Sequence, residues 1–256
     1  QHNILLAIPT ASGKSLVAYI GIMNQLLNLN PGSRAVYIVP LKALASEKFE
    51  DLKQIGQHLG LKIGLGIGDA TAEAKNIDDA DILICTSEKL DSLMRTRSEL
   101  MSNVSIVVAD EFHLLHDASR GPTLEINLTR LRTLRPNAQL IALSATVGNC
   151  DILAKWLDAT LVQSDWRPVD LEYATLHDRH LEPRKIQSSS MDATEQALSP
   201  PRHLEGPLSH PAWIVVQDTI EQGGQVLVFV GTRRSAQSEA KKLSERVSCS
   251  PASYCW

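Results

Sequence analysis

The first part of the chain alternates regularly between two kinds of segment. Short apolar runs rich in β-branched residues recur at 4–8, 35–39, 62–67, 82–85, 106–109, 139–143 and 161–162, and such runs predict buried strands. Amphipathic stretches with apolar residues spaced by three and four lie between them, at 14–29, 42–59, 123–134 and 150–157, and they predict helices. This alternation predicts an α/β fold with a parallel sheet that is covered on both faces. The ligands of such a sheet bind at the carboxyl ends of its strands.

The pattern changes after Pro168. A strand-like stretch at 169–175 precedes a polar segment at 177–211 that is rich in Ser, Pro and His, and this composition predicts a loop or an insert. A helix at 212–221, a strand at 226–230 and a basic helix at 233–247 then resume the alternation, whereas the tail beyond 247 has no recognisable pattern. We therefore expect one α/β domain over residues 1–168 and the start of a second over 169–256.

Composition narrows the class of function. The chain of 256 residues is 43% hydrophobic, which suffices for buried cores. Its formal charge of −4 argues against a protein that grips nucleic acid by bulk basicity, and an aromatic content of 4% argues against base stacking as the main means of binding. Any contact with nucleic acid must therefore be made by a few groups at a local site.

Targeting and thiol patterns predict a cytoplasmic protein. No apolar run approaches the roughly 18 residues that cross a membrane, so we expect no membrane span and no membrane partner. The four cysteines form no CxxC pair, so we expect free thiols in a reducing compartment and no structural metal. The chain starts at Gln1 without an initiator Met, so we also expect that the true N-terminus is missing. We expect a monomer.

A phosphate-binding loop is predicted directly after the first strand. The segment PTASGKS consists of Pro9, Thr10, Ala11, Ser12, Gly13, Lys14 and Ser15 and leads into the first helix, which is the context that a P-loop requires. Backbone N–H groups can surround the phosphates of ATP, Lys14 can neutralise them, and Ser15 can bind Mg²⁺. The full pattern has Gly where Ile8 stands, and the short pattern also occurs in ordinary strand–turn–helix connections. Other motifs must therefore decide between a phosphate-binding loop and an ordinary connection.

An acidic pair and a small hydroxyl motif follow two later strands. The run at 104–109 ends in Asp110, Glu111, Phe112 and His113, where Asp110 would hold Mg²⁺ through water and Glu111 would polarise the attacking water. The alternative is a surface acidic pair that stabilises a helix N-terminus. The second motif comprises Ser144, Ala145 and Thr146, and taken alone it is better explained as a cap on the next helix.

In this order, PTASGKS, DEFH and SAT resemble motifs I, II and III of the superfamily-two DExH-box helicases. IVPLKALASEKF, TSEKLDSL, VVADEFHLL, RGPTLE, NAQLIALSAT, SDWRPV and QVLVFVGTRRSA are similar to segments of the archaeal fork-repair DNA helicases of the Ski-two-like group, over roughly 3–175 and 212–243. The resemblance implies a RecA-like P-loop NTPase domain followed by a truncated second one. His113 stands where DEAD-box RNA helicases carry Asp, and Phe112 replaces the usual Ile or Ala in what we expect to be a half-buried position.

The resemblance also implies contacts with nucleic acid. Segments at 40–43, 86–89 and 232–234 correspond to motifs Ia, Ib and IV. Hydroxyl groups and helix N-termini can hold phosphates without many cations, although on the residues alone Lys42 and Lys89 are better explained as solvated helix charges. The segments Gly68-Asp69 and Arg120-Gly121 also match the family, with roles left open. The implied contact residues are Pro40, Lys42, Thr86, Ser87, Lys89, Thr232 and Arg233.

The function implied by the resemblance is that of an ATP-dependent DNA helicase. Hydrolysis of ATP with Mg²⁺ would drive 3′ to 5′ movement on single-stranded or forked DNA in fork repair, and His113 would relay the ATP state to the motif formed by Ser144, Ala145 and Thr146. An RNA helicase of the same group is one alternative, and a non-catalytic nucleotide-dependent binding module is another. Counterparts of motifs V and VI are not recognised, and the arginine of motif VI contributes on the order of 10³–10⁵ in rate. We therefore expect this chain alone to hydrolyse ATP very slowly.

Overall fold

The chain forms two compact units, Gln1–Pro168 and Val169–Trp256. The computed structural model describes residues 2–68, 74–75, 77–169, 171–184, 199–206 and 210–245. None of the helices in these ranges combines the length and the apolar character that a bilayer crossing requires.

The first unit is built on one mixed sheet. Its strand order is β4-β3-β5-β2-β6-β7-β1-β8, in which the short β4 pairs antiparallel with β3 and all other neighbours are parallel. This confirms the predicted α/β fold class. The strands are β1 (Asn3–Ala7), β2 (Arg34–Val39), β3 (Ile63–Gly66), β4 (Ala74–Lys75), β5 (Ile82–Thr86), β6 (Val104–Ala109), β7 (Gln139–Ser144) and β8 (Ala159–Gln163).

Five α-helices connect these strands: α1 (Lys14–Met23), α2 (Lys42–Leu59), α3 (Ser87–Thr96), α4 (Gly121–Leu134) and α5 (Cys150–Leu157). The helix predicted at 14–29 is α-helical only as far as Met23 and continues as a π-helix over Asn24–Leu29. Helix α3 was not predicted, although its buried residues Ser87, Leu90, Leu93 and Met94 have helical spacing. The predicted helix at 123–134 begins at Gly121, with Pro122 in its first turn, a position that suits proline.

The core has two layers, one on each face of the sheet. Successive residues of a strand point to opposite faces, so Val36 and Ile38 of β2 pack with α3, α4 and α5. Ala35, Tyr37 and Val39 pack with α1 and α2. Burial of each large apolar side chain contributes about 1.5–3 kcal/mol, and burial on both faces explains why the central strands are almost continuously apolar in sequence.

In the second unit, the described residues form an antiparallel sheet of three strands in the order β11-β10-β9. These are β9 (Tyr173–His177), β10 (His180–Arg184) and β11 (Arg202–His203). The prediction of a loop throughout 177–211 is therefore wrong at β10 and β11. Asp178 and Arg179 form the turn between β9 and β10 with φ of 45° and 69°, as a two-residue hairpin turn requires. This turn is difficult to predict from the sequence, because neither of its two residues is glycine or asparagine.

Two helices follow, α6 (Pro211–Glu221) and α7 (Arg233–Ser244), close to the predicted bounds. The predicted strand between them is wrong, because residues 224–230 have no regular structure. Leu227 is 77% exposed and Phe229 is 86% exposed. A strand is held by hydrogen bonds to a neighbour, and no strand in the described ranges pairs with this apolar segment. The predicted tail and residues 246–247 lie outside those ranges.

Candidate nucleotide and nucleic-acid site

The predicted motifs of the first unit lie at one edge of the sheet. PTASGKS follows β1, DEFH follows β6, and Ser144 is the last residue of β7. Pro40 follows β2, and Thr86 ends β5. All of these strands are parallel, in the order β5-β2-β6-β7-β1, so their carboxyl ends share one edge. The acidic motif thus lies between the phosphate-loop candidate and the two segments predicted to contact nucleic acid.

The loop after β1 has the backbone of an anion-binding turn. Ala11 and Gly13 have φ of 67° and 86°, whereas Ser12 between them does not have a positive φ. Alternation between left-handed and other conformations turns successive N–H groups toward one concavity. The Ser12 hydroxyl donates to the Pro9 carbonyl, and Gly13 directly precedes α1. The loop geometry is therefore suited to phosphate.

Ile8, the departure from the P-loop pattern, continues the strand. Its N–H donates to the Ser144 carbonyl at 3.3 Å, and its half-buried side chain packs on the layer beneath α1 and α2. Its carbonyl in turn accepts a hydrogen bond of 2.9 Å from Nζ of Lys14. The position that usually carries Gly therefore extends the pairing of β1 with β7 and holds the lysine.

Lys14 is a buried cation beside the acidic pair. It is 8% exposed, and burial lowers the pKa of its ammonium group, while the charges of Glu111 and Asp110 act in the opposite direction. Arg167 also lowers this pKa. The lysine and the two carboxylates, which are about a hundred residues apart in sequence, therefore interact electrostatically.

Asp110 is held by hydrogen bonds to both carboxylate oxygens. Oδ1 accepts the N–H of Glu111 at 2.9 Å, and Oδ2 accepts the hydroxyl of Tyr37 at 2.8 Å. Glu111 has φ 48° and ψ 44°, a left-handed conformation that costs a non-glycine residue about 1–3 kcal/mol. Its side chain does not cap the 3-10 helix that follows, Phe112–His116. The alternative of an acidic pair that caps a helix thus has no support from the hydrogen bonding of Glu111.

Phe112 is fully buried, so the expected half-buried position is wrong. Its ring stacks on Trp156 of α5 with centroids 6.4 Å apart and an interplanar angle of 17°. The chain turns sharply at Glu111 and directs the next side chain into the layer formed with α3, α4 and α5. The aromatic residue anchors the turn that follows the acidic pair.

His113 connects the acidic motif to the motif after β7. Its Nδ1 accepts the N–H of Ala145 at 3.3 Å and lies 3.4 Å from Oε2 of Glu111. Ser144 is buried, and its hydroxyl donates to the Ala145 carbonyl at 2.8 Å, while Thr146 is exposed. Helix α5 is preceded by Asn149 rather than by a residue of this motif. The interpretation of SAT as a simple helix cap is therefore wrong.

The predicted nucleic-acid contacts of the first unit differ in exposure. Lys42 is exposed at the start of α2, and Pro40 and Lys89 are half-buried. Thr86 and Ser87 are buried, and the Thr86 hydroxyl accepts the N–H of Lys89 at 3.4 Å as the cap of α3. Ser87 accepts a hydrogen bond of 2.7 Å at its carbonyl from the buried Asn127. The two small hydroxyl residues thus shape the start of α3.

One small cleft joins several of these elements. It is lined by Pro40 and Ser87 on the side of the predicted nucleic-acid contacts and by Asp110 and Glu111 on the side of the acidic motif, together with Arg120. The sequence left the role of Arg120 open, and the structure locates it in the lining of this cleft.

The second unit carries the two remaining predicted contacts. Thr232 is exposed and caps α7 by accepting the N–H of Ser235 at 3.1 Å, and Arg233 is exposed at the first position of that helix. In the first unit, Gly68 has φ 69°, a conformation that favours glycine. Asp69 lies outside the described residues.

Comparison with known proteins identifies the family. The DEAD/DEAH box helicase family matches residues 1–153, more than half of the chain. The chain belongs to the DEAD/DEAH box helicase family. This confirms the predicted resemblance, and membership of this family implies the use of a nucleotide.

Individual relatives carry a more specific name, ATP-dependent DNA helicase Hel308. The protein of Methanocella arvoryzae is 41% identical over 250 residues, which cover 96% of this chain and 32% of the relative. The protein of Methanocaldococcus jannaschii is 42% identical over 247 residues, 95% of this chain and 19% of the relative. The protein of Thermococcus kodakarensis is 44% identical over 248 residues, which cover 96% of this chain and 20% of the relative. The chain thus spans about a fifth to a third of the length of these relatives.

Within this helicase domain, one residue of the site lies outside the predicted motifs. Tyr37 is fully buried in β2, and its hydroxyl reaches Asp110. The sequence does contain a signal for it, since a hydroxyl-bearing residue interrupts the apolar run AVYIV. A buried tyrosine hydroxyl nearly always has a hydrogen-bonding partner, but the sequence does not specify which one.

Proposed function

We propose that this chain is the ATP-binding part of an ATP-dependent DNA helicase. The observation that carries the proposal is that the phosphate-loop candidate, the acidic motif and Ser144 follow neighbouring parallel strands at one edge of the sheet, where the acidic motif contacts Ala145 through His113. DNA as the nucleic acid is supported by the names of the relatives. We further propose that residues 1–168 are the first RecA-like domain and that 169–256 begin the second, in agreement with the division into compact units.

The loop from Pro9 to Ser15 would bind the phosphates of ATP. Its N–H groups at the start of α1 favour negative charge. The ammonium of Lys14, which donates to the Ile8 carbonyl, would donate instead to phosphate oxygens as a charge-assisted hydrogen bond, which is the stronger interaction. The partial burial of Lys14 strengthens that attraction, because the effective dielectric constant is lower than in water.

The residues present fit a Mg²⁺ ion bound together with the nucleotide. Mg²⁺ in such sites is usually held by one or two protein ligands and by phosphate oxygens, and Ser15 and Asp110 would supply the protein ligands. Each oxygen of Asp110 accepts one hydrogen bond, which leaves further lone pairs for water or metal. When bound, the ion neutralises the phosphates and orients them.

Glu111 and His113 would act next to the phosphates. Glu111 would accept a hydrogen bond from the attacking water and orient it. His113 would report the state of the site to the segment after β7, because the N–H of Ala145 donates to its ring. Movement of that segment would couple the nucleotide to the nucleic-acid side of the sheet edge, where Pro40, Lys42, Thr86, Ser87 and Lys89 follow β2 and β5. Thr232 and Arg233 would add contacts from the second unit, and the expected direction of travel remains 3′ to 5′.

Removal of the lysine tests the phosphate site. In the full-length protein, Lys14→Ala should lower the DNA-stimulated ATPase rate by on the order of 10²–10³, the range for loss of one group that stabilises charge. Lys48→Ala is the matched control, because Lys14 and Lys48 are both 8% exposed and Lys48 pairs with its neighbour Glu47 at 2.9 Å. Normal ATPase in Lys14→Ala would refute the phosphate assignment.

Neutralisation of the glutamate tests the catalytic assignment. Glu111→Gln should lower the ATPase rate by about 10²–10⁴, the usual contribution of general base catalysis, while nucleotide binding persists. Glu125→Gln, on the exposed side of α4, should leave the rate unchanged. Stimulation of the wild-type ATPase by single-stranded RNA and not by DNA would overturn the choice of DNA, and an inactive wild-type protein would favour a binding module.

A further inference from the structure

Tyr37 occupies a position in the sheet that leads directly to the acidic motif. It pairs with Val108 in the parallel ladder between β2 and β6. Asp110 lies two residues beyond Val108, and side chains two residues apart in an extended chain point to the same face. Tyr37 and Asp110 therefore lie on the face of the sheet that α1 covers, the helix that begins at the proposed phosphate loop.

The phenol group contacts Asp110, one of the two residues that we propose as protein ligands of Mg²⁺. Its hydroxyl donates to Oδ2 of Asp110 at 2.8 Å. The opposite oxygen of Asp110 accepts the N–H of Glu111. With a donor on each oxygen, the plane of the carboxylate is fixed.

We propose that Tyr37 is a positioning residue that holds the carboxylate of Asp110 in the orientation that binds Mg²⁺ with the nucleotide. This inference rests on the proposed function. Groups that orient metal ligands typically contribute 10- to 100-fold to metal affinity, because a ligand that is free to rotate must lose that freedom on binding. Loss of the phenol hydroxyl would release the Oδ2 side of Asp110.

The chain contains a matched control for a purely structural role. Tyr19 belongs to the same apolar layer as Tyr37, and their rings lie 6.2 Å apart. The Tyr19 hydroxyl likewise donates to a carboxylate, Oδ2 of Asp51 in α2, at 3.0 Å. Replacement of either tyrosine by phenylalanine removes one hydroxyl from the same layer and one hydrogen bond to an aspartate. Of these two tyrosines, only Tyr37 donates its hydrogen bond to a residue of the acidic motif, Asp110.

The test measures how much Mg²⁺ strengthens nucleotide binding. The dissociation constant of a fluorescent ADP analogue is determined with Mg²⁺ and with EDTA for the wild-type protein, Tyr37→Phe and Tyr19→Phe, and the ratio of the two constants is the gain due to Mg²⁺. Tyr37→Phe should reduce this gain by about 10-fold or more without changing binding in EDTA. Tyr19→Phe should keep the gain within roughly 2-fold, since no orienting group is lost. An unchanged gain in Tyr37→Phe, or an equal loss in Tyr19→Phe, overturns the inference.

The same measurements separate the inference from the proposed function. A wild-type protein that binds the analogue equally well with Mg²⁺ and with EDTA contradicts the proposed Mg²⁺ site itself, whereas a wild-type gain that persists in Tyr37→Phe contradicts only the role of Tyr37. If thermal melting shows that Tyr37→Phe does not fold, 3-fluorotyrosine is incorporated instead, because it keeps the hydroxyl. Addition of Mg²⁺ to the ADP-bound protein should then shift the ¹⁹F resonance at position 37 and leave that at position 19 in place. No shift at position 37 refutes the role of Tyr37.

Discussion

Gly121 stands where the acidic motif meets α4, and alanine at this position should destabilise the first unit. A Cβ on Gly121 would lie 2.1 Å from the carbonyl oxygen of Leu115 and 2.8 Å from its carbonyl carbon. Leu115 belongs to the 3-10 helix that also carries Phe112 and His113. The obstacle is backbone rather than a flexible side-chain end, so relief requires movement of the turn or of α4.

Two opposing effects determine the expected size of the change. Alanine is favoured over glycine within a helix by about 1 kcal/mol. Close contacts between carbon and oxygen are about 3.3 Å or longer, so the Cβ would have to move away from the oxygen by more than 1 Å, and overpacking of this kind costs about 1–3 kcal/mol or more. Because the contact is with backbone, we expect the clash to lie in the upper part of this range and to dominate, with a net loss of about 1–2 kcal/mol. For a domain of this size, that corresponds to a melting temperature roughly 2–8 °C lower.

Urea and thermal unfolding of Gly121→Ala test this prediction, with Gly148→Ala as the control. A Cβ on Gly148 meets no atom within 4 Å, and the residue does not have a left-handed φ, so the control should be neutral or slightly stabilising. The ATPase rate of Gly121→Ala should also fall, since the displaced turn carries His113. A melting temperature equal to or above that of the wild-type protein would refute the reasoning.

Two further predictions concern buried side chains. Phe112→Ala should destabilise the chain by about 3–5 kcal/mol, measured by urea unfolding, because the ring is fully buried against Trp156; a loss below about 1 kcal/mol would contradict its role as an anchor. Burial raises the pKa of the Cys85 thiol from 9.0 to about 12, with Lys89 acting in the opposite direction. The unfolded thiol ionises first, so stability that is present below pH 9 should be lost as the pH rises from about 9 to about 12. Cys85→Val should show a smaller loss over this range, and an equal loss would argue against the shift.

Agreement between sequence and structure is closest where a local pattern suffices. The positions of β1, β2, β5 and β6 followed from short apolar runs, because a strand that is buried on both faces has few polar residues. Lys14, Asp110 and Ser144 could be proposed as site residues from the sequence because chemistry-bearing residues that follow strands are local signals. The segment 226–230 has the same apolar pattern as a true strand but does not form one. An apolar pattern alone does not show whether a neighbouring strand is present to pair with the segment.

Pattern and motif were therefore enough to predict the α/β class and the helicase family, both of which are confirmed, and to propose the nucleotide motifs. They did not establish which residues from separate strands touch. The hydrogen bond from Tyr37 to Asp110, the contact of Ala145 with His113 and the burial of Phe112 against Trp156 each join segments that are at least thirty residues apart in sequence. Such contacts depend on strand order and register, which a periodic pattern leaves open because a parallel strand can pair with many others. Only the folded sheet brings these side chains together at one edge.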